Sequence, residues 1–594
     1  MFCWQCEQTS GGTGCVRHGA CGRTGRISAL ADLLTGCLKR LALAAKCKRM
    51  AGRPDREAGR LLINGLTATG TSANFDPMSL SEMVTRAQSA FERISQELGS
   101  SFELAPDLKI PRTMHGREAA GGRLPLGSFP EIEAALTPQI VSMRESAIYA
   151  LKGAAGYASQ ALSFGREDEE VYERVESVLA MGLDSSLSLD DWLQAFLGVG
   201  RTGLRAMEIL DEAHTTTFGH PEPALVTLGR KMGKAVLVSG HSLGDLAKML
   251  EQAEGWGVSL YTHGEMLAAH GYPALRSPAL AGHYGTSWPN QDEEFRRFPG
   301  PMVLAGGCLR RPHPAYRERV FCTGATAWPG AGRIESDSDG RKDFGPVFEA
   351  ALKAPGFSSG AWGPFVPAGW GRKALLERAG RIASLLSTGK VGSLLIVGGC
   401  DGTKSFRLYY RSLVELSPGD SLILAMGCGK ARFLDLNLGE IDGVPRLMDL
   451  GQCGDAYSAI VFIAALARIM DRKVKELPVS AFVSWYEQKP LAILAALMDL
   501  GIGDISLGPS FPAFMHPDVC RLLSFSGGPR PVTDPEGDLR RALARPGARI
   551  PINSRPMKGR KGARDMRGHS RNLAGAAGPL SCGQGSGREA RTAG

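Results

Sequence analysis

The chain has 594 residues, 43% of them hydrophobic and 22% charged, a balance that excludes a disordered or fibrous protein and predicts a few globular domains with ample cores. Its formal net charge is +9, but residues 555–594 hold nine Lys/Arg against Asp565 and Glu589, a net of +7, so the rest is nearly neutral. A basic body that grips nucleic acid is not implied. No run of about 18 apolar residues occurs, so no membrane partner is expected.

The N-terminus, Met-Phe-Cys-Trp-Gln, has neither the basic nor the apolar region of a signal peptide. A reducing, cytoplasmic location is therefore expected, where clustered thiols read as metal ligands rather than disulfides. Four of the 13 cysteines, Cys3, Cys6, Cys15 and Cys21, fall in the first 21 residues with spacing C-x2-C-x8-C-x5-C. Four thiolates this close can wrap one metal centre. Zinc sites tend to come as two C-x2-C pairs, and here there is one. The uneven gaps suit an iron–sulfur cluster better, with zinc and an incidental grouping as alternatives.

Apolar residues then recur every three or four positions over 26–50, which predicts an amphipathic helix. Cys37 and Cys47 lie in this pattern and read as small packing residues. Helical periods follow over 80–98, 138–162, 168–181 and 189–213, with a Pro/Gly-rich break at 106–129. The first domain, residues 1–222, is thus predicted to be all-helical, as two bundles.

Beyond Thr217-Phe218-Gly219-His220-Pro221 short apolar runs alternate with helical segments: AVLV at 235–238, MVLA at 302–305, LLIV at 394–397 and LILA at 422–425. That grammar predicts two Rossmann-like α/β domains with mostly parallel sheets. A Pro/Gly-rich stretch at 354–372 separates them, placing the domains at 223–365 and 366–553. The remainder, 554–594, is Gly/Arg-rich and nearly free of large apolar side chains, so a disordered tail is predicted. An inert extension is favoured over an RNA-binding one.

Predicted strands in this region run into glycine and then a side chain able to bind metal. Ser239-Gly240 leads to His241, Thr262-His263-Gly264 to Glu265, and Gly306-Gly307 to Cys308. Gly398-Gly399 leads to Cys400, Gly427 to Cys428, and Gly451-Gln452 to Cys453. Ligands bind at the carboxyl ends of strands in open α/β sheets, and glycine lets the backbone come close. Any one of these cysteines is more often a buried small residue; repetition in the same slot favours a shared site. Thiolates mixed with imidazole and carboxylate suit iron that carries oxygen as well as sulfide, with a position open to substrate.

The segments MFCWQCEQTS, TGC, GACG, LVSGHSLGDLAKMLEQAEGWGVSLYTHGEML, VGGCDGTKSFRLYY, GQCGDAYS and SWYEQKP together resemble the hybrid cluster protein family, also called prismane proteins or hydroxylamine reductases. The likeness runs from residue 1 to about 552. It implies that Cys3, Cys6, Cys15 and Cys21 hold a [4Fe–4S] cluster. It implies that His241, Glu265, Cys308, Cys400, Cys428, Cys453 and Glu487 hold a hybrid [4Fe–2O–2S] cluster, with Cys400 as the persulfide-forming residue. Lys489 matches a lysine beside the open iron, and Glu487 and Lys489 are the expected proton-handling pair. For Lys489 a purely structural ion pair is the competing reading.

The implied activity is reduction of small N–O substrates: hydroxylamine to ammonia and water, nitric oxide to nitrous oxide. Electrons would come from a redox protein through the N-terminal cluster. A protein-nitrosylating or redox-signalling role is the alternative. A carbon monoxide dehydrogenase relative would require nickel, against which the two carboxylates argue. Gly240-His241-Ser242-Leu243-Gly244 fits the nucleophile elbow of a serine hydrolase, but no oxyanion segment accompanies it and the cysteines stay unexplained. His263-Gly264-Glu265 with His270 lacks the H-E-x-x-H of a zinc protease. Cys322, Cys520 and Cys582 fit no ligand pattern.

Overall fold

The computed structural model describes residues 1–99, 130–338, 340–525 and 528–544. The Pro/Gly-rich break at 106–129, Cys582 and the basic tail lie outside them. The first part is helical: α1 (Gly25–Met50), α2 (Arg56–Thr69), α3 (Pro77–Leu98), α4 (Pro130–Ala135), α5 (Pro138–Leu162), α6 (Glu169–Met181) and α7 (Leu189–Phe218). Their starts follow capping chemistry. The Thr24 hydroxyl accepts from the Ile27 N–H, the Asp55 carboxylate from the Ala58 N–H, and Ser188 with Asp191 forms a reciprocal capping box. Proline occupies the first turn of α3 and α5.

Two six-stranded sheets follow, each parallel throughout. The first runs in the order Leu280–His283, Ser259–His263, Ala235–Gly240, Met302–Ala305, Val320–Thr323, Gly332–Ile334. The second runs Leu447–Gly451, Ser421–Met426, Ser393–Gly399, Val479–Ser484, Ile505–Gly508, Arg530–Pro531. Their central strands are apolar and buried on both faces, as helices covering a parallel sheet require. An antiparallel ribbon pairs Ala224–Thr227 with Phe365–Ala368. Among the described residues no helix is long and apolar enough to cross a membrane.

The helices depart from two self-contained bundles in one respect. The pair α5 and α7 packs against the Lys489–Asp499 helix, which follows a central strand of the second sheet. Small residues set this approach. A Cβ on Gly153 of α5 would lie 2.3 Å from the Gln488 carbonyl oxygen, and one on Gly200 of α7 would lie 2.4 Å from the Ala495 carbonyl carbon. The segment carrying Glu487, Gln488 and Lys489 is thus seated against α5 at backbone contact.

Gly153→Ala is expected to destabilise the protein by about 1–3 kcal/mol through overpacking, measured as a lower midpoint of thermal unfolding. Gly380→Ala is the control: its added Cβ meets nothing within 4 Å, and the helical Arg372–Ser387 segment should be unharmed or slightly stabilised.

Candidate metal centres

The N-terminal thiols are brought together by the backbone. The Cys3 N–H donates to the Cys15 carbonyl at 3.0 Å and the Cys15 N–H returns a bond to the Cys3 carbonyl at 2.7 Å. The Ser10 and Ala20 N–H groups both point at Cys15 Sγ, each at 3.4 Å. Backbone donors of this kind suit a sulfur that binds metal. Cys6 and Cys15 are buried, while Cys3 and Cys21 are half-buried. Burial pushes the Cys3 thiol up to about 11. Burial also drives Cys6 well above the ordinary thiol range, and the neighbouring Cys21, Cys3 and Cys15 add to it. Thiols gathered this closely, with Cys3 and Cys6 resisting ionisation, are what a cationic cluster core neutralises.

The second group assembles where the carboxyl ends of the two sheets meet. The His241 Nε2 and Glu265 Oε2 atoms are 3.0 Å apart, and the Cys453 N–H donates to the same carboxylate oxygen at 3.1 Å. The ligating atoms of His241, Glu265 and Cys453 all lie within 4.8 Å of one another. His241 Nδ1 sits 2.8 Å from the Gly306 carbonyl, a contact that turns Nε2 toward Glu265 and the centre. Cys308, Cys400 and Cys428 pack in one cluster with Cys6, Trp288 and Tyr486.

Electrostatics ties these groups to Glu487 and Lys489. Burial pushes Cys308, Cys400, Cys428 and Cys453 well above the ordinary thiol range, and they raise one another together with Glu265 and Glu487. Burial alone would lower Lys489, but Cys453, Glu487, Glu265 and Cys308 overcome it and hold the ammonium well above its usual range. Burial would likewise raise Glu265, yet His241, Lys489 and the Cys453 N–H keep its carboxylate well below the usual range. All seven residues implied for the hybrid cluster therefore converge, with Lys489 among them.

The glycines before these residues are required by contact. Gly399 (φ +108°) passes so near the next strand that a Cβ would lie 2.1 Å from the Ser484 carbonyl oxygen. Gly427 (φ +74°) would meet the Gly399 oxygen at 2.5 Å. Only glycine tolerates both the left-handed backbone and the approach, and Cys400 and Cys428 follow directly.

Several residues at the centre were not singled out from the sequence. Arg407, fully buried, donates to the Cys400 carbonyl at 3.1 Å and to Glu7 at 2.8 Å. Glu7 also pairs with Lys404 at 2.6 Å, and its N–H donates to the Tyr486 carbonyl at 3.1 Å. The Cys400 loop and the N-terminal motif are thereby one assembly. Between them the Trp288 and Tyr486 rings stack with centroids 4.4 Å apart. Gln488 donates to the Gln5 carbonyl at 2.7 Å. Tyr157 lies beside Cys453 and beneath Lys489, whose Nζ stands 5.9 Å from the ring centroid. No periodicity or spacing marks these residues; Glu7 and Gln488 read locally as ordinary polar residues.

A cavity of about 560 Å³ opens onto the site between α5 and the first sheet. His241, Cys308, Glu487 and Lys489 line its inner end, and exposed Glu251 and Gly340 its outer end. Ser242 is not part of a triad: its hydroxyl accepts from the Asp245 N–H at 3.2 Å and caps the following helix. His263 bonds Ser239 and Glu294 at 2.8 Å each, and His270 bonds Thr262 at 2.9 Å, so neither joins Glu265 in a zinc site. Cys37, Cys322 and Cys520 are buried core residues.

The family described as Prismane/CO dehydrogenase matches residues 1–540. A protein named hydroxylamine reductase from Syntrophobacter fumaroxidans is 42% identical over 550 residues, covering 91% of this chain and 100% of that one. One of the same name from Microcystis aeruginosa is 41% identical over 546 residues, covering 91% and 99%. Among solved structures, carbon monoxide dehydrogenase IV from Carboxydothermus hydrogenoformans aligns over 91% of this chain and 92% of its own, with a TM-score of 0.52 and 14% identity. That likeness is one of fold.

Two separate centres make a separable expectation. Cys15→Ser should remove one portion of the bound iron and its electron paramagnetic signal while the other signal persists. Cys453→Ala should do the reverse. Iron, acid-labile sulfide and nickel assays on anaerobically prepared protein provide the check, and loss of both signals from either change would contradict two independent centres.

Proposed function

The chain belongs to the prismane/CO dehydrogenase family, and from that premise we propose that it is an iron–sulfur reductase of small N–O compounds, with hydroxylamine the first substrate and nitric oxide a second. The observation that carries this reading is the gathering of His241, Glu265, Cys308, Cys400, Cys428, Cys453 and Glu487 around one buried region, of which His241, Cys308 and Glu487, with Lys489, line the inner end of the cavity. The mixed sulfur, nitrogen and oxygen donors fit a hybrid iron–sulfur–oxygen cluster, and Cys3, Cys6, Cys15 and Cys21 fit a [4Fe–4S] cluster. The free thiols fit a cytoplasmic setting.

When bound, the hybrid cluster would supply electrons and Lewis acidity to a substrate in the cavity. Reduction of hydroxylamine takes two electrons and two protons, breaks the N–O bond, and yields ammonia and water. The chain's own residues handle position and protons. The cavity admits a small polar molecule to Glu487 and Lys489. Lys489 keeps its proton in the resting site because the surrounding acidic groups stabilise the ammonium. It is placed to hydrogen-bond the departing oxygen and hand over that proton, with Glu487 beside it to steer replacement. Trp288 and Tyr486 fill the space between Cys6 and the inner thiols with stacked aromatic rings, a compact medium for electron transfer.

Cys400→Ala or Glu265→Ala is expected to abolish hydroxylamine reduction driven by reduced viologen, while the N-terminal cluster's spectrum survives. Full activity in either would remove that residue from the site. Lys489→Met should slow turnover about a hundredfold with iron content retained. An unchanged rate would reject its proton role and leave it as charge compensation.

A further inference from the structure

The N-terminal centre has an inner and an outer side. Inward, Cys6 packs with Trp288, Tyr486 and the thiols of the second centre. Outward, Cys3 and Cys21 are half-buried, and the loop between Cys15 and Cys21 exposes Val16, Arg17 and His18. Val16 is 61% exposed, and the N-terminal ammonium lies 3.5 Å from its carbonyl oxygen. Arg26, in the first turn of α1, is exposed as well.

A second segment extends this surface. Residues 310–319, RRPHPAYRER, hold four arginines against Glu318. Arg311 is exposed, and its Cβ lies 3.7 Å from where a Cβ on Gly22 would stand, directly after Cys21. Few carboxylates stand near this charge: of the two in residues 1–32, Glu7 is buried against Arg407 and Lys404, and Asp32 is half-buried with its charge acting on Cys3. Arg23 is also consumed inside, donating to the Thr69 and Gly70 carbonyls. Among the described residues Arg17, Arg26 and Arg311 form no ion pair. The body of the chain is close to neutral, so this positive rim is local.

We propose that the Arg17–Arg26–Arg311 face around Val16 is the docking surface for a small acidic one-electron carrier protein. The inference rests on the functional reading above and adds to it the kind of partner and the residues that meet it. An apolar centre with a charged rim suits a short-lived encounter: Val16 supplies contact, and the arginines steer the carrier and orient its redox group toward Cys3 and Cys21. Electron entry there leads inward through Cys6 to the aromatic stack. Salt screens such steering over about 10 Å at 0.1 M ionic strength, which makes the contact measurable by its salt dependence.

The test uses the full-length holoprotein, an acidic plant-type ferredoxin and a basic cytochrome of similar size. Ferredoxin binding is followed by titration calorimetry, and reduction of the N-terminal cluster by stopped-flow bleaching. The ferredoxin should bind and its electron-transfer rate should fall steeply with added salt; the cytochrome should not bind. R17E/R311E and R26E should each lower the ferredoxin rate constant about tenfold or more, while rates with reduced benzyl viologen change less than twofold. R17K/R311K should restore ferredoxin binding. Reversal variants that keep the wild-type ferredoxin rate, or a wild-type rate indifferent to salt, would overturn the proposal. If viologen-reduced protein leaves hydroxylamine untouched while salt-sensitive ferredoxin docking persists, the functional reading fails and the docking face stands. Should R17E/R311E fold poorly, R17Q and R311Q taken singly decide the question through the same salt slopes.

Discussion

The arrangement depends on an electrostatic constraint: acidic groups buried together with too little positive charge to balance them. Four thiols, two carboxylates and an imidazole share the inner centre, and Lys489 is the cation set among them. Removing such groups from water costs several kcal/mol each unless they are neutralised or paired. The protein resolves this partly by holding the thiols protonated and partly by placing Lys489 and the His241–Glu265 pair at their centre. A polynuclear cationic group resolves the remainder, which is why the same geometry that is costly alone becomes favourable around iron.

Everything that brings these groups close serves that end. Parallel sheets present their carboxyl ends to one space, and glycine at the last strand position lets neighbouring turns overlap at backbone distance. The Glu7–Arg407 pair, fully buried, then binds the N-terminal motif to the Cys400 loop through the Cys400 carbonyl. Breaking a buried pair of this kind costs roughly 3–5 kcal/mol because the surviving charge is stranded. The pair is thus a clamp between centres as well as a local contact.

Much of the architecture was legible. The helix over 26–50 becomes Gly25–Met50, and the period over 138–162 becomes Pro138–Leu162, because caps and apolar periodicity are local signals. The run 302–305 is the strand Met302–Ala305. Two central features were missed for physical reasons. The helix Arg56–Thr69 was not picked out, and the strand Val479–Ser484 ends in Ser484-Trp485-Tyr486 rather than in glycine and cysteine. It therefore fell outside the repeated strand-end pattern, although it delivers Glu487 and Lys489. The second bundle borrows its third partner, Lys489–Asp499, from the far part of the chain, a contact that no local window contains.

By itself the sequence determined the kinds of candidate ligand, their place at strand ends, the four-thiol motif and the alternation of helix and strand, since each is written in neighbouring residues. Tertiary structure decided which of them meet. The side chains of His241, Glu265 and Cys453 come within 4.8 Å of one another only because the turns ending three strands are brought to one point. Arg407 becomes a clamp only when Glu7, 400 residues away along the chain, is brought to it. Local propensity acts over a few residues, whereas close approach depends on how whole sheets pack.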